Sequence, residues 1–145
     1  MDRDRSGVHV WLVLWKTARA VERCAERSIE SLEMCRSDFG VLEALLNKGP
    51  LPVNQIGQKV LLTSGSITTA VDRLERKSLV ERKDSPDDRR ARIVHLTARG
   101  RKLIQKAYAD HAADMEELAE VLGSGERAAL LRLLKKLGRE AAAAL

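Results

Sequence analysis

LLTSGSITTAVDRLERKSLVERKDSPDDRRARIVHLTARGRKLI, residues 61–104, changes its periodicity twice. Ile67, Val71 and Leu74 stand four and three residues apart, the spacing that gathers side chains on one face of a helix. Ser64 is a candidate cap for that helix. The pattern then shortens to two alternating runs, LVERKD (79–84) and ARIVHLT (91–97), joined by the turn-rich SPDDRR (85–90). They read as a two-stranded hairpin. Thr97 is a good N-cap for a further helix whose apolar side carries Leu103 or Ile104, Ala107, Tyr108, His111, Met115, Leu118 and Leu122.

Upstream, LPVNQIGQKVLL (51–62) reads as a short helix with Asn54 capping and Ile56, Val60 and Leu61 inward. RSDFGVLEALLNKG (36–49) reads as another helix. Ser37 or Asp38 caps it, Phe39, Leu42, Leu45 and Leu46 form its stripe, and Gly49-Pro50 ends it. Before these, Trp11, Leu14, Trp15, Ala18, Val21, Ala25, Ile29 and Leu32 keep a three-four spacing, predicting one long amphipathic helix over 8–31. Downstream, GSGE (123–126) breaks the chain, with Ser124 near a capping arrangement with Glu126, before a last helix.

Three short helices and a hairpin make a winged helix-turn-helix. The expected fold is therefore mainly α with a small β-hairpin wing. A winged helix-turn-helix core occupies residues 37–97 of a single domain, 1–145, flanked by long N- and C-terminal dimerisation helices over 8–31 and 98–145. The apolar stripes of the terminal helices exceed what so small a core can cover, so a second copy of the chain is expected to cover them.

Composition agrees with this architecture. The chain has 145 residues, 44% hydrophobic but only 3% aromatic, so its core must be built of Leu, Val, Ile and Ala. The net charge of +5 favours a polyanionic partner or a membrane surface. Residues 1–49 are neutral, and the basic excess begins at residues 50–97, which carry nine bases against six acids. Two cysteines, Cys24 and Cys35, are too few for a disulfide scaffold and have no metal-ligand spacing. The apolar run VHVWLVLW (8–15) is too short to cross a bilayer, and no signal-peptide pattern follows it. A cytoplasmic protein without cofactor or metal is expected. No nucleophile–base set or phosphate-binding glycine loop points to an enzyme.

Asp72-Arg73-Leu74-Glu75, Ser78-Leu79-Val80, Asp88-Arg89-Arg90 and Leu96-Thr97-Ala98-Arg99-Gly100, in this order, resemble the MarR family of bacterial transcription regulators. That family shows D-R-L-E after a Ser/Thr-rich recognition helix, a Gly-Leu-Val turn, a D-x-R wing tip and L-T-x-x-G. Ser78 departs from it where glycine is frequent, and serine tolerates a left-handed backbone less well. The resemblance implies a homodimeric repressor on an inverted-repeat operator, released by a small phenolic or aromatic ligand or by cysteine oxidation.

Within that reading, SGSITTAVDR supplies Ser64, Ser66, Thr68, Thr69 and Arg73 to the major groove, and Gly65 permits close approach. Read alone, the same hydroxyls merely cap and solvate a helix. In the hairpin tip, Arg89 and Arg90 are the candidate groove or phosphate contacts. The resemblance points to Arg90 as the inserted arginine and to Asp88 as its orienting partner. Arg82, Lys83 and Arg92 are generic phosphate candidates or solvated strand charges. The resemblance also suggests a ligand space drawing on Trp11, Trp15, Arg19, Phe39 and His111, each of which is otherwise an ordinary core or interface residue. Cys24 or Cys35 could act as a redox sensor, with Arg23, Arg27 and Arg36 near in sequence. A winged helix that binds protein rather than DNA is the competing class.

Overall fold

The computed structural model describes residues 3–60 and 64–145. Its elements are α1 (Gly7–Ile29), α2 (Arg36–Lys48), β1 (Leu51–Pro52), α3 (Val53–Val60), α4 (Ser64–Arg76), β2 (Val80–Asp84), β3 (Arg92–Leu96), α5 (Ala98–Ala119) and α6 (Ser124–Ala143). The chain divides into two compact units, residues 1–111 and 112–145.

The core of the first unit is aliphatic. Phe39, Leu42 and Leu45 of α2, Ile56 of α3, and Ile67, Ala70, Val71 and Leu74 of α4 meet Leu79, Val80 and Val94 of the hairpin. Ile104 and Ala107 of α5 complete it. The helical stripes of α2 and α4 thus face inward at the spacing their sequences carry. Leu46 is only partly buried, and Leu61 lies outside the described residues.

The sheet has three strands in the order β1-β3-β2, all antiparallel. β2 and β3 pair from Val80 opposite Leu96 to Asp84 opposite Arg92. β1 was not expected. Leu51 and Pro52 pair with Val94 and Ile93, and two residues are too few to show alternation. Pro52 is tolerated because β1 is an edge strand. The cap expected at Asn54 is corrected at this point: α3 begins at Val53, so Asn54 lies within its first turn.

The cap expected for α2 is also corrected. Cys35 occupies the N-cap position and its side chain makes no capping hydrogen bond. Asp38 sits three residues further on, buried, with its carboxylate turned to α4. Thr97, by contrast, caps α5 as expected, its Oγ1 accepting the Gly100 N–H at 3.0 Å. Ser6 caps α1 by accepting the His9 N–H at 3.2 Å.

Ser78 adopts the left-handed conformation, with φ of 60°. Its carbonyl accepts the Thr97 hydroxyl at 2.7 Å, a bond that needs only the backbone of residue 78. Ser78→Gly should therefore stabilise the chain by about 0.5–1 kcal/mol by relieving Cβ strain. A thermal melt checks this, and an unchanged or lowered midpoint would count against it.

α1 spans 23 residues, yet only Ile29 of them is buried. Val8, Val10, Trp11, Val13, Leu14, Trp15 and Val21 are exposed. In the second unit Arg127 of α6 reaches Glu116 of α5 at 2.7 Å, and Glu126 accepts the Gly123 N–H at 2.9 Å. There Leu130, Leu131, Leu133, Leu134 and Leu137 are exposed.

Candidate nucleic-acid interface

α4 divides cleanly. Ile67, Ala70, Val71 and Leu74 are buried, while Gly65, Ser66, Thr68 and Thr69 are exposed. The division follows from the spacing: the apolar residues recur at three and four, leaving the hydroxyls on the opposite arc. Thr69 Oγ1 donates to the Gly65 carbonyl at 3.0 Å. Ser64 begins α4, and its side chain lies outside the described residues.

The four residues DRLE, 72–75, are all engaged within the protein. Leu74 enters the core. Asp72 and Glu75 take the wing arginine Arg82 between them. Its Nη2 lies 2.6 Å from Asp72 Oδ1, its Nη1 3.0 Å from Glu75 Oε1, and its backbone N–H donates to Glu75 Oε2 at 3.1 Å. The Arg82 side chain is only 17% exposed. Its assignment as a phosphate candidate is therefore corrected: it locks the wing to α4.

Arg73 turns the other way. Its Nη2 donates to Asp38 Oδ1 at 2.7 Å, and its Nε lies 3.2 Å from both carboxylate oxygens. Nη2 also lies 3.6 Å from Cys35 Sγ. The hydrogen bonds Arg73 donates to the Asp38 carboxylate hold the guanidinium pKa above its ordinary value. Arg73 is thus engaged inside the protein, although its side chain remains 36% exposed.

The wing tip is closed by its own backbone. Ser85 Oγ accepts the N–H groups of Asp87 and Asp88 at 3.3 and 3.4 Å. Asp88 Oδ1 accepts the Arg90 N–H at 2.9 Å, and Ala91 N–H donates to the Asp88 carbonyl at 3.1 Å. Asp88 therefore orients the backbone at Arg90, not its guanidinium. Lys83 and Arg92 are paired with Glu81 and Asp84 at 3.2 and 3.3 Å. Arg89 and Arg90 are exposed and form no ion pair among the described residues. Of the wing's basic side chains, these two alone retain uncommitted charge among the described residues.

The residues suggested for a ligand space separate. Phe39 and His111 meet edge-to-face with ring centroids 5.1 Å apart, and His111 Nδ1 lies 3.1 Å from Ser28 Oγ. They border a cleft of about 280 Å³ with Ala25, Ile29, Val60 and Lys59. Trp11 and Trp15 stack on each other at 5.9 Å on the exposed start of α1, and neither they nor Arg19 line that cleft. Ten residues of helix separate Trp15 from Ala25, a rise of about 15 Å.

Both cysteines are free and exposed. Cys35 Sγ lies 3.0 Å from Ser37 Oγ and faces a cleft bordered by Arg23, Arg27 and Arg36, the arginines near it in sequence. Among the described residues no group of His, Cys, Asp or Glu could hold a metal ion, and no helix is long and apolar enough to cross a membrane.

An exposed hydroxyl-bearing helix beside an arginine-tipped hairpin defines a winged helix-turn-helix regulator. The comparisons narrow that class. Residues 36–91 match the family model described as MarR family. The chain is 39% identical to the HTH-type transcriptional regulator MhqR of Bacillus subtilis (strain 168) over 132 residues, covering 91% of each chain. It is 36% identical to a second regulator of that organism, YkoM, over 83% of this chain and 80% of the other. The chain belongs to the MarR family of winged helix-turn-helix transcription regulators. Its fold matches a mutant MarR from E. coli complexed with operator DNA, with TM-score 0.81, 23% identity and coverage of 94% and 99%. It also matches BpsR of Bordetella bronchiseptica, whose DNA binding is regulated by 6-hydroxynicotinic acid, with TM-score 0.80, 21% identity and coverage of 95% and 96%.

Proposed function

We propose that this chain is a cytoplasmic, homodimeric repressor that binds double-stranded DNA at an inverted repeat and is released by a small aromatic effector. One observation carries the reading. The exposed face of α4 (Gly65, Ser66, Thr68 and Thr69) is tied through Arg82 to a hairpin whose tip holds the exposed Arg89 and Arg90. α4 enters the major groove, and the wing follows the adjacent minor groove, where negative potential is concentrated. The MarR of E. coli binds operator DNA with this fold.

The dimer rests on uncovered apolar surface. Monomers rarely expose contiguous patches as large as a run of Val8, Trp11, Leu14 and Trp15 on one helix implies. The leucines of α6 add a second such surface. A second copy covering both would set two α4 helices about 34 Å apart, one turn of duplex. The cleft beside Phe39 and His111 is the effector space this reading favours.

A second release mechanism has one observation in its favour. Cys35 is exposed and contacts Arg73 of α4, so oxidation there would act directly on the recognition helix.

The test is selection of genomic fragments by the purified protein, followed by sizing and titration. We expect a dimer in solution, an inverted repeat in the selected fragments, and a log–log salt slope of about −5 or steeper. Phenols and aromatic acids should release the fragment. Hydrogen peroxide, which oxidises a single thiolate to a sulfenic acid and is itself reduced to water, should do so only through the second mechanism, and then not from Cys35→Ser. A monomer that selects no fragment at low salt overturns the reading.

A further inference from the structure

Asp38 is the single buried charged side chain among the described residues, at 2% exposure. It cannot touch a duplex. We propose that Asp38 is a positioning residue for DNA recognition: through Arg73 it sets the rotation of α4 about its own axis, and so the aim of Ser66 and Thr69. The proposal rests on the DNA-binding reading above.

Three observations lead to it. The first is the pairing itself. Arg73 Nε and Nη2 form a fork on the carboxylate, with the shortest contact 2.7 Å. Such a fork is directional, whereas the packing of Ile67, Ala70, Val71 and Leu74 is not. Apolar burial sets which arc of α4 faces the core, and the fork adds an angular restraint to it.

The second is the register. Thr69 and Ser66 lie four and seven residues before Arg73, one and two turns along the same stripe. Whatever fixes the angle of Arg73 fixes theirs. At a side-chain radius of about 5 Å, a rotation of about 20° moves a hydroxyl by about 2 Å. That is well outside the span of a hydrogen bond.

The third is the anchor. Asp38 stands on α2, three residues past its N-cap Cys35, where the helix N-terminus favours a negative charge. α2 belongs to the aliphatic core and presents no residue of the candidate interface. Asp38 therefore refers the orientation of α4 to a helix of the buried core. Arg82 supplies the matching tie on the wing side, through Asp72 and Glu75. Two ties from different elements determine a rotation that one alone would leave as a hinge.

A direct role for Arg73 on phosphate makes a different prediction, which separates the two. The probe is the best duplex the wild-type protein selects from a randomised pool, compared with a scrambled duplex of equal length. The variants are Asp38→Asn and Arg73→Lys, which keeps the charge but lacks the fork, and the double variant. Circular dichroism melts confirm that each is folded at the assay temperature. Positioning predicts that Asp38→Asn lowers the specific-to-scrambled affinity ratio by about tenfold or more, leaving the salt slope unchanged. Arg73→Lys should lose a similar ratio, and the double variant no more than the worse single one. A ratio unchanged in Asp38→Asn overturns the proposal, as does an equal loss on both duplexes. If Asp38→Asn does not fold, Arg73→Lys decides alone, and wild-type discrimination by it overturns the proposal. Wild-type protein without preference for any duplex would instead overturn the DNA-binding reading itself.

Discussion

Gly100→Ala should destabilise the chain by about 3 kcal/mol or more, near the upper end of what overpacking costs, and lower the thermal midpoint by about 10 °C. Gly100 lies in the first turn of α5, packed against the backbone of Leu79. A Cβ there would collide with the Leu79 carbonyl oxygen and come within 2.8 Å of its carbon. The obstacle is main chain, so no rotamer relieves it. Nor is that carbonyl free to retreat, because it accepts the Thr97 N–H at 3.1 Å. One residue earlier, the Ser78 carbonyl accepts the Thr97 hydroxyl, which in turn accepts the Gly100 N–H. The L-T-x-x-G sequence is thus a latch that seats the start of α5 on the turn between α4 and the wing. Thermal unfolding followed by circular dichroism tests it, and a midpoint within about 2 °C of wild type would show that the latch has slack.

The latch shows how far the sequence was readable. Thr97 as a cap follows from residue type and position, and the structure has it capping α5. The glycine three residues later has a meaning only once Leu79 is brought against it, which spacing cannot disclose. The same limit governs the charges. The spacing of Ile67, Val71 and Leu74 predicts which arc of α4 is exposed, because periodicity is a property of one helix. Which carboxylate an arginine meets is a property of two elements. Asp38 and Arg73 are 35 residues apart, and both look like surface residues in the sequence. Their pairing, and that of Arg82 with Asp72 and Glu75, divides the basic residues between structure and solvent. A charge count treats Arg73, Arg82 and Arg90 alike.

The suggested ligand residues separate for a related reason. Trp11 and Trp15 carry the right chemistry for an aromatic pocket, but they stand at the start of a 23-residue helix and do not line the cleft beside Phe39 and His111. β1 is not legible in the sequence because a two-residue strand takes its identity from β3, its partner, rather than from its own pattern.

Arg90→Ala should lower operator affinity about 100-fold or more while leaving the thermal midpoint unchanged. The stability half follows from the wing's construction. The loop is held by Ser85, by the Asp88 carboxylate on the Arg90 N–H, and by the Ala91 N–H, none of which involves the side chain of residue 90. The affinity half follows from the uncommitted guanidinium. Arg82 and Arg92 already have carboxylate partners and must lose them to reach DNA. Arg90 loses none, and the capped backbone beneath it narrows the directions it can take. A seated arginine contact is worth about 1–3 kcal/mol. The proposed two-fold dimer would lose two of them, and about 3 kcal/mol in all is a factor of roughly 150. Arg89→Ala is the internal control. If Arg89 faces phosphate or solvent, it should weaken specific and scrambled duplexes alike, and by less. Fluorescence anisotropy on the selected duplex measures both variants. Binding by Arg90→Ala within about threefold of wild type would remove the wing from the interface and leave recognition to α4 alone.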